Sequence, residues 1–154
     1  MTRIIHAVLL APLAVALPLR PAIAQRGTPA EAQAMLAKAV AHYRKVGRAQ
    51  ALADFTAKKA PFVDRDLYVV CIGPDRVISA HGAAASYVGA SPDLLKDAEG
   101  KPLGKAIFDA ADKKGGGSVR YRWVNPVSGK VEPKVSFVER VGTDVCLVGA
   151  YEGS

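Results

Sequence analysis

The feature that most constrains this chain is its last third, Ser118 to Tyr151, which reads as three consecutive strands carrying an unusual mixture of side chains. Ser118-Val-Arg-Tyr-Arg-Trp-Val124 alternates, setting Val119, Tyr121 and Trp123 on one face and Arg120 and Arg122 on the other. Asn125-Pro-Val-Ser-Gly-Lys130 is turn chemistry. Val131 to Val141 alternates again, Gly142-Thr143-Asp144 turns the chain, and Val145-Cys-Leu-Val-Gly-Ala-Tyr151 follows as the third strand. A meander of this kind normally buries one face and wets the other. Here large aromatics share a small sheet with Lys134 and Ser136, so the sheet is expected to line a small polar pocket.

Upstream, Thr28-Pro-Ala-Glu31 is a capping box with proline at the first helical position. Ala32, Met35, Leu36, Ala39, Val40, Tyr43 and Val46 then recur at helical spacing until Gly47, with Lys38 and His42 off the stripe. A shorter helix is predicted from about Arg48 to Lys58, carrying Leu52 and Phe55 inward. Leu67-Tyr-Val-Val-Cys-Ile72 is a near-continuous apolar run, the mark of a central strand covered on both faces. Gly73-Pro-Asp-Arg76 turns it into Val77-Ile-Ser-Ala-His81. Pro92 to Lys101 reads as a loop with a short helical turn, and Leu103 to Lys113 as a helix pointing Ile107 and Phe108 inward. Gly115 to Gly117 is a flexible hinge; it lacks the preceding strand and the following Lys-Ser/Thr of a phosphate loop. A connection of about 35 residues between strands is long enough to be functional.

The N-terminus reads as an export signal occupying residues 1–24. Arg3 supplies the positive start, Ile4 to Leu17 an apolar run, and Ala22-Ile-Ala24 the cleavage site. That run, broken by Pro12, is shorter than the roughly 20 residues a spanning helix needs. The mature chain from Gln25 is then one domain of about 130 residues. Losing Arg3 and Arg20 lowers the net charge from +7 to about +5. The charges are scattered, which together with export argues against a nucleic-acid partner and suits anionic small molecules. The expected location is the periplasm or the medium, with no membrane span after cleavage.

Tyr121-x-Trp-x-Asn-Pro-x-x-Gly-Lys130, then Pro133-Lys-Val-Ser-Phe-Val138, then Val148-Gly-Ala-Tyr151, resembles the single Cache domain, a PAS-like extracytoplasmic sensing module of bacterial chemoreceptors and histidine kinases. Asp64-Arg-Asp-Leu-Tyr-Val69, Ala80-His81 and Lys96-Asp-Ala-Glu-Gly-Lys101 extend the likeness across residues 25–154. The resemblance implies an α+β fold: a five-stranded antiparallel sheet, in spatial order 2-1-5-4-3, with a long N-terminal helix packed on its back. Two departures stand out. Arg76 occupies the hairpin position where glycine is expected, and the receptors continue into a transmembrane helix and output domain, whereas this chain is expected to be a free-standing exported module.

The resemblance also directs attention to particular side chains. Lys134 is either a cation for a carboxylate ligand or a surface lysine whose stem covers the sheet. Tyr121 and Trp123 either wall the pocket or fill a plain core, and Tyr68 lies beside them. His81 is either a ligand donor or a satisfied strand-end histidine. Asp97 is more simply a turn residue than one at the pocket mouth. Cys71 and Cys146 fall on strands the fold makes neighbours, so they are a disulfide pair if register and face agree, and otherwise small buried hydrophobes. Neither metal-ligand spacing nor a cofactor motif, nucleophile elbow or paired acid and base is present. The chain is therefore expected to bind a small organic ligand, a carboxylate by preference, without catalysis. It would signal through a membrane receptor, kinase or transporter. The alternative is a structural or interaction protein whose pocket is filled by its own side chains.

Overall fold

The computed structural model describes residues 26–153; the expected export signal at residues 1–24 lies outside the described residues. Helix α1 (Pro29–Val46) starts at the capping box: Thr28 N–H donates to Glu31 Oε2 at 2.7 Å and Glu31 N–H to Thr28 Oγ1 at 3.2 Å. It ends at Gly47, whose φ of 83° favours glycine. Helix α2 (Arg48–Thr56) follows directly. Together they bury Met35, Leu36, Val40, Tyr43, Leu52 and Phe55 against the back of a sheet, where Leu67, Val69, Cys71, Val135, Cys146, Val148 and Ala150 complete one core. Burial of each large apolar side chain there contributes about 1.5–3 kcal/mol.

The sheet comprises β1 (Val63–Asp64), β2 (Leu67–Ile72), β3 (Ile78–His81), β4 (Gly117–Val124), β5 (Val131–Val141) and β6 (Asp144–Tyr151). All pairings are antiparallel. The five main strands lie in the order β3-β2-β6-β5-β4, the order the resemblance implies, and two-residue β1 adds a second partner on the β3 side of β2. Every residue of β6 is buried, as a strand flanked on both edges and covered on both faces must be.

The long connection crosses the front face. A 3-10 turn (Ala85–Tyr87) opens it and helix α3 (Leu103–Ala111) closes it; between them, two overlapping turns start the Pro92–Lys101 loop, Leu94 N–H donating to the Ser91 carbonyl at 3.1 Å and Leu95 N–H to that of Pro92 at 3.3 Å. Leu103, Ile107, Ala110 and Ala111 pack on Ile72, Ile78, Val138, Val145 and Leu147 as a second core. Phe108 is half-buried against this core and carries the Arg76 guanidinium 4.0 Å above its ring. Arg76 adopts φ 59° and is held there by two bonds to Asp93, at 2.8 and 2.7 Å. That clamp lets a bulky residue stand where glycine was expected.

The triple glycine is no free hinge. A Cβ on Gly116 would sit 2.3 Å from the Val138 carbonyl oxygen, and one on Gly117 would sit 2.7 Å from that of Ala110. Both glycines permit close backbone packing at the start of β4.

Candidate functional site

Strand alternation places two rows of side chains on the front face. Cross-strand pairing sets Tyr121 opposite Lys134 and Lys134 opposite Tyr151, while Val119, Ser136 and Gly149 form the next row. Tyr68, Val70 and Ile72 of β2 share this face. Pro92, Leu95, Leu103 and Ile107 of the connection cover it, enclosing a cavity of about 50 Å³. That is several times the roughly 10–15 Å³ a single water requires, and suits a molecule of a few heavy atoms.

The cavity has two ends. Lys134, Tyr68, His81, Tyr121, Trp123 and Ser136 bring polar atoms and aromatic faces, and Ile72, Ile78, Leu95, Leu103, Ile107 and Leu147 form an aliphatic wall. All five residues singled out as ligand contacts therefore line one space. Asp97 does not: its Oδ1 accepts the backbone N–H groups of Glu99 and Lys101 at 2.9 and 2.8 Å, which makes it a turn residue.

Lys134 is 2% exposed, so it does not snorkel to water. Its Nζ donates to the Tyr68 hydroxyl at 2.8 Å and the Tyr151 hydroxyl at 3.3 Å, and lies 4.0 and 4.3 Å from the centroids of those rings. Among the described residues it makes no ion pair. Burial lowers its pKa to about 7, against a smaller opposing pull from the Asp66 carboxylate. The same burial, reinforced by the Lys134 charge, lowers His81 to about 4. His81 Nδ1 accepts the Ala84 N–H at 3.0 Å, which puts the hydrogen of the neutral ring on Nε2. Tyr121 shares a 2.8 Å bond with Ser136 Oγ, and burial raises its phenol to about 12. All three tyrosines are thus neutral donors at physiological pH; the Tyr68 and Tyr151 phenols are likewise raised by burial.

Tyr151 escaped the sequence reading, although its parity with Gly149 and Leu147 already placed it on the pocket face. Its hydroxyl donates to the Val124 carbonyl at 2.7 Å and so ties the β6 end to the β4–β5 hairpin. Beyond it, Asn125 Nδ2 donates to Asp66 and Glu132 at 3.1 and 3.0 Å, and these carboxylates hold Gly27 N–H and the Arg26 guanidinium. Nothing local in the sequence could reveal this cluster, because its members are scattered along the chain. On the back of the same sheet Cys71 lies opposite Cys146, with Cα atoms 4.1 Å apart and the sulfurs bonded at 2.04 Å. Among the described residues no three His, Cys, Asp or Glu side chains converge to hold a metal.

Residues 23–150 match the family described as Single Cache domain 2. The chain belongs to the single Cache domain family. Solved structures agree with the fold. A methyl-accepting chemotaxis protein from Vibrio parahaemolyticus superposes with a TM-score of 0.66 at 20% identity, over 79% of this chain and 86% of that one. A Cache chemosensory domain solved for its carboxylic acid recognition gives 0.59 at 19% identity over 79% and 86%. The periplasmic sensor domain of a chemotaxis protein gives 0.59 at 21% identity over 79% and 88%. None of the curated proteins compared with the chain matches it. Cache domains are ligand-binding signalling modules that act through receptor partners, and one of these structural neighbours is a periplasmic sensor domain. Among the described residues no helix is long and apolar enough to cross a membrane.

Proposed function

We propose that this Cache domain is an exported sensor for a short monocarboxylic acid, acting by binding rather than catalysis and reporting occupancy to a membrane receptor, kinase or transporter. The observation that carries the reading is Lys134: a buried amine at the polar end of a small cavity, bonded only to neutral hydroxyls. A carboxylate would supply the missing counter-charge in a site where such a pair is strong. Tyr68, Tyr121 and neutral His81 are further donors for its oxygens. The aliphatic wall would take an alkyl tail but would leave a second carboxylate unpaired, which argues against dicarboxylic acids. The small volume favours acids of about two to four carbons. That one structural neighbour is a Cache chemosensory domain that recognises carboxylic acids supports the same ligand class.

The test is calorimetry and thermal shift with acetate, propionate, butyrate and succinate. A monocarboxylate at about 100 times its Kd should add roughly 2.7 kcal/mol of stability. Lys134→Met should remove the response while retaining the fold. If no acid binds, the second reading gains, because the tyrosine hydroxyls already satisfy Lys134: the domain is then an interaction module with a self-filled pocket.

A further inference from the structure

Lys134 is the only buried lysine among the described residues. Its Nζ faces a cavity whose far wall is aliphatic and touches no acidic oxygen. The groups around it come from every element packed against it: Tyr68 from β2, His81 from β3, Tyr121 from β4, Ser136 beside it on β5 and Tyr151 from β6, with the Asp66 carboxylate farther off. Such surroundings disfavour an ammonium and favour the free amine, which is a nucleophile.

We propose that this cavity also captures short aliphatic aldehydes as reversible imines on Lys134 Nζ. The nitrogen lone pair adds to the carbonyl carbon; the C–N bond forms as the C–O π-bond breaks, and the proton leaving nitrogen goes to oxygen. The resulting carbinolamine then loses its hydroxyl as water, with a proton lent by the Tyr68 hydroxyl 2.8 Å from Nζ. The tyrosine oxygen regains that proton from the iminium nitrogen, leaving a neutral imine. Amine and aldehyde become imine and water, with no change of oxidation state. The alkyl remainder lies along Leu95, Leu103 and Ile107. Exclusion of bulk water disfavours the hydrolysis that dismantles imines in solution. The capture goes beyond the carboxylate reading: it uses the same cavity, but with Lys134 as nucleophile and Tyr68 as proton donor rather than as groups that hold an anion.

Reductive trapping of the intact mature domain decides the matter. Propionaldehyde and cyanoborohydride at pH 8, followed by peptide mass mapping over time, compare Lys134 with Lys105, whose side chain is 83% exposed. A free exposed lysine is almost wholly protonated at that pH, so Lys134 should be alkylated at least about tenfold faster. Excess propionate should slow the reaction at Lys134 alone. Faster labelling of Lys134 that propionate fails to slow supports the imine and counts against the carboxylate reading. Labelling of Lys134 no faster than Lys105, or none at all, overturns the imine even where propionate binding by calorimetry is intact.

Discussion

Gly149 makes room for Lys134: a Cβ at position 149 would come within 2.2 Å of Lys134 Cε and 2.3 Å of Ser136 Oγ. The lysine stem lies flat across β6 because its neighbour has no side chain, and this directs Nζ to the two tyrosine hydroxyls. Gly149→Ala should therefore displace Lys134, costing about 1–3 kcal/mol of stability as overpacking does. Acid-induced stabilisation should disappear with it. Denaturant unfolding with and without propionate measures both; an unchanged ligand response would show that Lys134 has no part in binding.

The ligand-free domain should become more stable as pH rises above about 7. Lys134 has a folded pKa lowered to about 7 from 10.5, so between those values the unfolded chain binds more protons and stability climbs with pH. The slope is at most about 1.4 kcal/mol per pH unit. His81, lowered to about 4 from 6.5, has the same sign in its own window and makes stability fall as pH drops from about 6.5 to 4. Melting curves of wild type and Lys134→Met across pH 6 to 10 should diverge, the variant being flatter. Parallel curves would mean that the amine does not titrate in this range.

Cys71 and Cys146 close a loop with a sequence separation of 75. In the chain-entropy picture such a bridge stabilises by about 4 kcal/mol, and measured bridges often give less. Domain exported to an oxidising compartment and denatured without reductant should show no free thiol, and reduction should lower its melting temperature. Two thiols in that assay would refute the bridge.

Asp144 is fully buried at the start of β6 and accepts from Tyr43 Oη at 2.6 Å, Arg48 Nε at 2.7 Å and Ser79 Oγ at 3.0 Å. It thus joins α1, α2 and β3 to the central strand. These hydrogen bonds hold its carboxyl below the usual range against the opposing effect of burial. Asp144→Ala should cost about 1–3 kcal/mol in chemical denaturation, since it strands the buried Tyr43 hydroxyl while the half-exposed Arg48 guanidinium can turn to water. A loss under about 1 kcal/mol would assign the junction to apolar packing instead.

Protein recovered after export should begin at Gln25, one residue before Arg26, whose guanidinium meets Glu132 at 2.6 Å. Mass spectrometry of the intact chain checks this, and retention of Met1 would leave an anchored protein.

Much of the architecture was legible in local pattern. The capping box and 3.6-residue period fix α1, the apolar run at 67–72 reads as a strand covered twice, and period-two alternation after Ser118 already separates Tyr121 and Trp123 from the two arginines. Those signals are local because they follow from backbone periodicity and cap hydrogen bonds. Tertiary structure alone decided which faces became one cavity. Burial of Lys134, the joining of Tyr68 and Tyr151 around it, the space left by Gly149 and the pin at Asp144 all depend on register between strands distant in sequence. Sequence also left Lys134 either at the surface or in the pocket, because a lysine stem suits both. Only the covering connection from Gly82 to Leu103, and the water it excludes, gives that amine an environment in which its charge needs a partner.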